Sequence, residues 1–438
     1  MVTNFKHSFE EFQHIHFIGI GGIGISAIAR MFLHEGKIVS GSDVAESEVT
    51  EGLRKVGALI FLNQRAENVP NDCDLVIYSI AITPDNPEFA EAKRRGLAMI
   101  SYPEALGVIS KEKYTIAISG THGKTTTTAM IAKIMTDAGL DPTVIVGSFL
   151  LDADSRGLKT RIHADEKTMR TNFIAGKSKY LVVEACEYRR SFLNLHPKIL
   201  AITNIDADHL DYYKDLDDIK SAFAELTAKL PANGVLINDF NKISFPQGFK
   251  LKIPGKHNLE NAKVAFAVSR ALNIPGTKAL KSLSEFSGTW RRFEYRGKTK
   301  NGALVYDDYG HHPHEISATL QGVRELFPTQ KVVVVFQPHL YSRTKDHLAG
   351  FGVAFGRADY VILLPIYPAR EIDPGDINSE MVVEEIKKNG QLACFVETFS
   401  EASQKSAELA GTHGIIITMG AGETNKVADS LVRKVGDL

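Results

Sequence analysis

Short apolar runs alternate with longer amphipathic stretches along the whole 438-residue sequence. Apolar runs of strand length, separated by segments of helix length, are typical of parallel sheets with crossover helices. The pattern therefore predicts an α/β protein. The strand candidates fall into three clusters, which are IHFIGI (15–20), IVSGSD (38–43) and DLVIYSI (74–80); TIAIS (115–119), YLVVEA (180–185) and ILAITNI (199–205); and ALVYDDY (303–309), KVVVVFQ (331–337), YVILLPI (360–366) and GIIITMG (414–420).

The three clusters indicate three domains, which agrees with a typical length of roughly 150 residues per domain. The segments between the clusters, 102–113 and 286–298, are mixed in composition and weakly periodic. We place the domain boundaries in these segments. The expected domains are residues 1–110, 111–288 and 289–438.

Composition and charge exclude several classes of protein. Lys and Arg together number 51 and Asp and Glu 52, so no net charge attracts nucleic acid or an anionic membrane. Three cysteines are too few for a disulfide framework and favour a reducing compartment. The N-terminal run FIGIGGIGISAIA lacks a basic leader and is shorter than the roughly 20 residues that span a bilayer. We expect a cytoplasmic protein without nucleic-acid or membrane partners, and the choice between monomer and dimer stays open.

A G-x-G-x-x-G loop, GIGGIG (19–24), follows the first predicted strand and opens a helix. Such glycines let the backbone turn tightly and bring the amides of the helix N-terminus close to a diphosphate. Asp43 follows the next strand, about 20 residues on, where an acid often holds a ribose hydroxyl. The loop predicts a diphosphate ligand without saying which one. A nicotinamide or flavin cofactor is the obvious choice, and a tight turn without a ligand is the structural alternative.

A second glycine loop, GTHGKTT (120–126), joins the strand TIAIS to a helix. Its successive amides can bind a phosphate, Lys124 can neutralise β- and γ-phosphate oxygens, and the Thr125 hydroxyl can join a Mg²⁺ shell. Ile118 stands where the usual phosphate-loop pattern has a glycine, but it lies inside the strand, and the loop proper begins at Gly120. Because strand, loop and helix occur in the required order, we read this loop as a nucleotide site.

Acidic residues follow the neighbouring strands of the central cluster. Glu184 ends the strand YLVVE, and Asp206, Asp208 and His209 follow the strand ILAITNI. Ligands of open α/β sheets bind beyond the carboxyl ends of the strands, and carboxylates suit Mg²⁺. Glu184 is therefore a candidate metal ligand, with an ordinary loop acid as the alternative. His209 is an unusual ligand for magnesium, and it could serve a second metal, a phosphate or only the structure.

The third cluster contains a histidine-rich stretch, DDYGHHPH (307–314), and later the stretch QPHLYSRT (337–344). The histidines could suggest zinc, but no second ligand set lies at a matching spacing, so we discount a zinc site. Two interpretations remain open. The stretch either caps the ends of strands, or it forms a pocket for a ribose and a small anionic substrate, with Arg343 binding a carboxylate through two hydrogen bonds.

Taken in order, these stretches resemble a known family. GIGGIG, GTHGKTTT, EACEYRRSF with TNIDADH, PGKHNLENAKVA, RRFE, DDYGHHPHE and FQPHLYSRT look like the motifs of the ATP-dependent Mur ligases of bacterial cell-wall synthesis. The likeness covers almost the whole chain. It implies a Rossmann-like N-terminal domain, a central P-loop ATPase-type parallel sheet and a Rossmann-like C-terminal domain. It also implies ATP and Mg²⁺ as cofactors, with UDP-N-acetylmuramate and L-alanine as substrates that are joined through an acyl phosphate.

The resemblance implies a role for each matching position. The first glycine loop would then hold the diphosphate of a UDP-sugar rather than a nicotinamide cofactor. The UDP-sugar-binding residues would be Gly19, Gly21, Gly22, Gly24, Asp43, Ser79 and Arg190. The ATP-binding residues would be Gly120, Thr121, His122, Gly123, Lys124, Thr125, Thr126, His257, Asn258, Asn261, Arg292 and Asp308. Tyr309, His311 and Arg343 would bind the amino acid, Thr125, Glu184 and His209 the metal, and the catalytic residues would be Lys124, Glu184, His209 and His311.

Two stretches depart from the family pattern. Many relatives have an arginine in place of Leu340, so we expect the carboxylate clamp to rest on Arg343 alone. Others have EADES where this chain has EACEYRR, and Arg189 and Arg190 are then candidate partners for the muramyl carboxylate or the diphosphate. Three alternatives stay open, which are a ligase that attaches a preformed tripeptide to the same sugar nucleotide, a nicotinamide-dependent oxidoreductase and a nucleotide-switched binding protein.

Overall fold

The computed structural model describes residues 8–150, 171–210, 212–369 and 371–432. These residues form three sheets of five, six and six strands, connected mainly by helices, and this confirms the predicted α/β class. The chain forms two compact units, Met1–Lys250 with Glu260–Ser287, and Leu251–Leu259 with Gly288–Leu438. The first two sheets lie in the first unit and the third sheet in the second. None of the described helices is long and apolar enough to cross a bilayer.

The first sheet is entirely parallel, with the order β3-β2-β1-β4-β5. Its strands are β1 His14–Ile18, β2 Ile38–Ser42, β3 Leu59–Phe61, β4 Leu75–Tyr78 and β5 Ala98–Ser101. Its helices are α1 Ile23–His34, α2 Glu48–Lys55, α3 Pro87–Arg94 and α4 Tyr102–Glu112. Strand order reverses between β1 and β4, and a crevice at such a switch point is where ligands of open α/β sheets bind.

The second sheet has the order β11-β10-β6-β9-β7-β8, and only the edge strand β8 runs antiparallel to its neighbour. Its strands are β6 Tyr114–Ser119, β7 Thr143–Leu150, β8 Thr171–Ile174, β9 Tyr180–Glu184, β10 Ile199–Ile202 and β11 Val235–Ile237. Its helices are α5 Lys124–Asp137, α6 Leu216–Ala228, α7 Lys256–Ala271 and α8 Gly276–Glu285. Because β6 lies between β10 and β9, the loop that follows β6 opens beside the ends of both neighbours.

The third sheet has the order β12-β13-β17-β14-β15-β16, with β12 as an antiparallel edge strand. Its strands are β12 Glu294–Lys298, β13 Leu304–Asp308, β14 Val332–Phe336, β15 Tyr360–Leu363, β16 Ala393–Phe395 and β17 Ile415–Met419. Its helices are α9 Pro313–Leu326, α10 Tyr341–Asp346, α11 Leu348–Ala354, α12 Ser379–Lys388, α13 Phe399–Ala410 and α14 Asn425–Leu431. The inner strands β14 and β17 are wholly buried, as expected for a parallel sheet covered on both faces.

Every predicted strand is present, and the two weakly periodic segments in which we placed the domain boundaries contain regular structure. Residues 102–113 form α4 almost throughout, and residues 286–298 end in β12. Helix α4 begins with a capping box in which the Glu104 carboxylate accepts hydrogen bonds from the Ser101 backbone and side chain. A capping box is a signal for a helix start that the weak periodicity of this segment concealed. The expected domain boundaries stay predictions.

Candidate active site

The first glycine loop leaves the carboxyl end of β1 and is held by the end of β2. The amides of Gly19 and Ile20 both donate to the Ser42 carbonyl at 2.9 Å. The Gly21 amide donates to Asp43 Oδ2 at 2.8 Å. Asp43 therefore stabilises the loop by accepting a hydrogen bond from one of its amides. Sequence reasoning did not anticipate this contact, because it assigned the acid to a ribose hydroxyl.

Neighbouring atoms leave little room for side chains at the glycine positions of this loop. Gly19 has a φ of +78°, and a methyl group there would lie 3.1 Å from the Ser79 Cβ. Gly22 is the N-cap residue of α1. A methyl group on Gly24 would lie 2.5 Å from the Tyr102 hydroxyl oxygen. The structure thus brings Gly19, Ser79 and Gly24 to one edge of the first sheet, as predicted for strand ends of a parallel sheet.

The second glycine loop follows β6 and is shaped by two glycines with positive φ. Gly120 has a φ of +131°, and a side chain there would collide with the Thr203 hydroxyl. Gly123 has a φ of +82° and is the N-cap of α5, where a side chain would collide with the buried Asn261 amide. The amides that begin α5 have no partner within the helix, and they form an anion-binding end. Asn261 is thus placed directly against the loop.

The remaining loop residues are bound to the segment that follows β10. The His122 amide donates to Asn204 Oδ1, and Asn204 Nδ2 donates back to the His122 carbonyl, both at 2.9 Å. The Thr121 hydroxyl exchanges hydrogen bonds with the Asp206 backbone at 2.8 and 3.2 Å. Thr126 is buried in the first turn of α5. Thr121 and His122 therefore hold the shape of the loop. Their contact with a nucleotide stays a prediction.

The Lys124 side chain is mostly buried, with 13% of it exposed, and its ammonium has protein partners that sequence reasoning did not predict. Its ammonium donates to the carbonyls of Gly120 and Thr121 at 2.6 and 3.0 Å, and it pairs with Glu187 at 2.9 Å. Burial opposes the charge, but the acidic groups, with Glu187 foremost and Glu184 weaker, outweigh it and raise the pKa of Lys124. The lysine therefore remains a cation at the place where phosphate oxygens would lie.

Thr125 and Glu184, the predicted metal ligands from the loop and from β9, are in contact. The Thr125 hydroxyl lies 3.1 and 3.0 Å from the two Glu184 carboxylate oxygens. The amide of Gly147 in β7 also donates to Glu184 Oε2 at 2.8 Å. The fold therefore places the Thr125 hydroxyl and the Glu184 carboxylate together beside the second glycine loop, and oxygen atoms of this kind suit Mg²⁺.

His209 lies beside Glu187, and its contacts are not with the Thr125–Glu184 pair. Its Nε2 is 3.8 Å from Glu187 and 3.9 Å from Asp208, and its ring packs against Tyr188 with a centroid distance of 4.9 Å. The backbone at His209 has a positive φ of +55°. Across the described residues, no group of three or more His, Cys, Asp and Glu side chains is arranged to hold a metal ion.

The two arginines of the EACEYRR stretch have different partners. The Arg190 guanidinium is paired with Asp218 and Glu225 of α6. Arg189 instead donates to the Ile80 carbonyl at 3.4 Å, one residue beyond Ser79. Arg190 is thus neutralised by two carboxylates, while Arg189 reaches the end of β4 beside the first glycine loop. The predicted UDP-sugar contact of Arg190 stays a prediction.

The other two predicted ATP contacts of α7 lie in its first turn. The ring of His257 lies against Gly255, which has a φ of +98°. Asn258 is buried, and its amide donates to the Pro254 carbonyl at 2.6 Å. Both side chains are thus held by the segment that enters the helix.

Asp308 of β13 was predicted to contact ATP. Its carboxylate accepts hydrogen bonds from two backbone amides. Its two oxygens accept from the amides of Phe293 and Gly310, each at 2.8 Å. Burial raises the pKa of Asp308, while the nearby Arg292 and these amides act to lower it. Arg292 packs over the Tyr309 ring, with its guanidinium carbon 5.1 Å from the centroid. Asp308 therefore holds together the two segments that carry Arg292 and Tyr309.

The residues predicted for the amino acid are grouped around His339. His311 Nδ1 lies 3.1 Å from the Tyr309 carbonyl, and the His311 and His339 rings are 6.0 Å apart. Arg343 Nη1 lies 3.0 Å from His339 Nδ1. Leu340, which departs from the family pattern, is buried at a positive φ of +68°. The structure brings Tyr309, His311 and Arg343 together, and sequence reasoning missed the histidine between them.

Sequence reasoning also missed a buried ion pair below this group. Arg291 donates from Nε to Asp307 at 2.9 Å and from Nη1 and Nη2 to the Gly422 and Gly420 carbonyls at 2.7 and 2.6 Å. The RRFE and DDYG motifs contain both partners, but the pattern did not tell which arginine is buried. Glu187 likewise belongs to the EACEYRR motif, but sequence reasoning assigned no role to it. In each case the missing signal was the partner across the fold.

Three α/β sheets on one chain, with a phosphate-binding loop on the second sheet and a diphosphate-type loop on the first, define a multidomain nucleotide-binding α/β protein. Models of the Mur ligase family, catalytic domain, the Mur ligase middle domain and the Mur ligase, glutamate ligase domain match residues 14–114, 118–247 and 291–422. The chain belongs to the Mur ligase family, and the resemblance found in the sequence is confirmed.

Similar proteins cover nearly the whole chain. One from Caldanaerobacter subterraneus subsp. tengcongensis is 37% identical, over 97% of this chain and 98% of that protein. Another, from Acetivibrio thermocellus, is 39% identical, over 97% of this chain and 96% of its own length. Both are named UDP-N-acetylmuramate--L-alanine ligase. The crystal structure of UDP-N-acetylmuramate-alanine ligase from Thermotoga maritima matches with a TM-score of 0.79 and 30% identity, over 96% of this chain and 98% of that one.

Proposed function

We propose that this chain joins L-alanine to the lactyl carboxylate of UDP-N-acetylmuramate, with ATP converted to ADP and phosphate, in the synthesis of peptidoglycan precursors. The observation that carries this proposal is the near-complete coverage by relatives that are named for this reaction. The arrangement around the second glycine loop supports it, because a mostly buried cation and a Thr–carboxylate pair are what phosphoryl transfer needs. The cytoplasmic location and the choice between monomer and dimer stay predictions.

A free carboxylate is a poor acyl donor, so amide formation in water needs activation. In the proposed first step, a lactyl carboxylate oxygen attacks the γ-phosphorus of ATP, the bond to the β-phosphate bridging oxygen breaks, and an acyl phosphate and ADP form. Lys124 is the group that would stabilise charge on the transferred phosphoryl oxygens. To do so it exchanges its contacts with the Gly120 and Thr121 carbonyls for contacts with phosphate.

The chain offers a place for Mg²⁺ beside this lysine. Thr125 and Glu184 would hold it, because their oxygens are adjacent at 3.0 and 3.1 Å and Mg²⁺ is commonly bound by one or two protein oxygens together with phosphates and waters. When bound, the ion would neutralise charge on the phosphate oxygens. His209 lies near Glu187, so a metal contact of His209 would belong to a second position.

In the proposed second step, the amine of alanine attacks the acyl carbon, the C–O bond to phosphate breaks, and the amine loses a proton. His209 and His311 are the candidate proton acceptors. Arg343, held by His339 at 3.0 Å, would bind the alanine carboxylate, and Tyr309 and His311 would line the same pocket.

The test is phosphate release by the purified full-length chain with ATP, Mg²⁺ and UDP-N-acetylmuramate, titrated separately with L-alanine, glycine, L-serine and a cell-wall tripeptide. The proposal predicts that L-alanine gives the highest kcat/KM and that the new amide appears in equal amount with ADP. Turnover with the tripeptide alone would favour the recycling ligase. ATP binding without phosphate release would favour a nucleotide-switched binding protein, and an absorbance change with a nicotinamide cofactor would favour an oxidoreductase.

A further inference from the structure

Tyr102 lies beside the first glycine loop, and none of the assigned roles uses it. It is the first residue of α4, directly after β5, and Ser101 at the end of β5 is in register with Tyr78 at the end of β4. Tyr102 therefore stands at the same sheet edge as Ser79 and the first glycine loop. The first and second sheets both belong to one compact unit.

The tyrosine hydroxyl lies against the first glycine loop and is influenced by acidic groups on the other side. The distances from a methyl group on Gly24 would be 2.5 Å to the hydroxyl oxygen and 2.8 Å to Cζ, so the phenol fills the space beside α1 that only glycine leaves open. On the other side, Cys186 and Glu184 are close enough to act on the hydroxyl electrostatically. The phenol therefore lies directly against Gly24, the last glycine of the first loop, and within electrostatic reach of the carboxylate that is paired with Thr125.

The Tyr102 hydroxyl is available as a hydrogen-bond donor to a ligand. Within the described residues no hydrogen-bond partner of the Tyr102 hydroxyl is present, although the ring is partly buried against the core. A polar group in such a position is usually satisfied by water or by a ligand. Burial, together with the nearby acidic groups, raises the pKa of Tyr102, so the phenol keeps its proton and remains a donor at any physiological pH.

The proposed reaction needs a donor at this place. If the diphosphate of the sugar nucleotide lies on the first loop and its carboxylate attacks a phosphate held beside Thr125, the muramyl part must pass from Gly24 toward Glu184. A neutral O–H donor beside Gly24 can bind one oxygen of the lactyl carboxylate on this path and fix the direction of the attacking oxygen.

We propose that the Tyr102 hydroxyl donates a hydrogen bond to the lactyl carboxylate of the sugar nucleotide and positions it for attack on the γ-phosphorus. This inference rests on the proposed function, because it assigns one contact of that same substrate. It makes Tyr102 a substrate-binding residue that distinguishes the muramyl group from sugars without a lactyl carboxylate.

The experiment compares Tyr102→Phe with the wild-type full-length chain by calorimetric titration with UDP, UDP-N-acetylglucosamine and UDP-N-acetylmuramate, and by steady-state kinetics. We expect the dissociation constant and KM of UDP-N-acetylmuramate to rise roughly 10- to 100-fold, the loss typical of one hydrogen bond to a charged group. Binding of UDP and UDP-N-acetylglucosamine and the KM of ATP should stay within about twofold. Phenylalanine retains the ring that packs against Gly24, so thermal melting should match that of the wild type.

The matched control is Tyr114→Phe. Tyr114 begins β6 at the sheet edge opposite the nucleotide loop, and its ring packs edge-on against Tyr180 with a centroid distance of 5.4 Å. This variant should bind all three ligands as the wild type does. Equal weakening of all three ligands by Tyr102→Phe, or unchanged binding of UDP-N-acetylmuramate, overturns the inference. Failure of the wild type to release phosphate with UDP-N-acetylmuramate and any amine would instead overturn the proposed function.

Discussion

The two glycine loops look alike in the sequence but differ in the charges that surround them. The first loop, 19–24, has no cationic side chain of its own, and Asp43 accepts a hydrogen bond from its Gly21 amide. The second loop, 120–126, contains Lys124, which is mostly buried and pairs with the buried carboxylate of Glu187. Both loops present helix N-termini, but only the second also places a cation there.

This difference predicts that the first loop binds the diphosphate of a substrate and that the second loop takes part in phosphoryl transfer. Backbone amides can hold a diphosphate whose charge does not change, and the first loop offers little else. A transferring phosphoryl group develops charge in the transition state, and a fixed cation in a water-poor site stabilises that charge far better than a solvated one does. We therefore expect substitutions at the second loop to lower kcat and those at the first loop to raise one KM.

The largest effect is expected for Lys124→Ala. Without the ammonium, charge on the transferred phosphoryl oxygens is unopposed, and kcat/KM for ATP should fall by roughly 1,000-fold. Glu187 would also be left buried without its cation, so melting should be measured in parallel. Lys133→Ala is the control, because Lys133 lies on the same helix and pairs with Asp137 at 2.8 Å, away from the loop. Phosphate release by Lys124→Ala at the rate of the control would remove the distinction between the loops.

Glu184→Gln should act on the metal requirement. The amide keeps the shape of the side chain but loses its charge, so we expect the Mg²⁺ concentration for half-maximal activity to rise by roughly 100-fold. Asp137→Asn serves as the control, because it removes a carboxylate from the far end of α5. A magnesium titration of Glu184→Gln that overlays that of the control would contradict the assignment of Glu184 as a ligand.

The strands that the sequence predicted are the ones with a strong and simple physical cause. Inner strands such as β14 and β17 are buried on both faces, so they read as continuous apolar runs. Strands β3, β11 and β16 have three residues each, which is too short for any periodicity to show. Strand β7 is an apolar run, but a run of this length does not by itself distinguish a strand from a buried helix segment.

The site was predictable where chemistry is local and not where it depends on partners across the fold. Lys124 and Thr125 follow from the loop itself, and Glu184 follows from its place at a strand end. Glu187 acquires its meaning only from its contact with Lys124, 63 residues earlier. The contact of His339 with His311, which follows a different strand, likewise depends on the fold. No spacing rule in a single sequence encodes such contacts, because they depend on the packing of whole elements.

Arg343→Ala tests whether a third determinant is independent of both loops. Loss of hydrogen bonds between a guanidinium and a carboxylate should raise the KM of L-alanine about 30-fold, while the KM values of ATP and UDP-N-acetylmuramate stay unchanged. Lys345→Ala is the control on the same helix, because Lys345 is exposed and pairs with Asp376 at 2.5 Å. An alanine titration that does not distinguish the two variants would exclude Arg343 from the carboxylate site.

The smallest effect is expected at Asp43, and it is the sharpest test of the first loop. Asp43→Ala removes the acceptor of the Gly21 amide in the loop and of the neighbouring Val44 amide, so the KM of UDP-N-acetylmuramate should rise about fivefold with kcat and the KM of ATP unchanged. Asp43→Asn retains an oxygen acceptor and should lie close to the wild type. If Asn is as impaired as Ala, the negative charge itself is needed, as for a ribose hydroxyl contact, and Asp43 binds substrate rather than holding the loop. A fall in kcat for either variant would mean that the first loop also controls the chemical step.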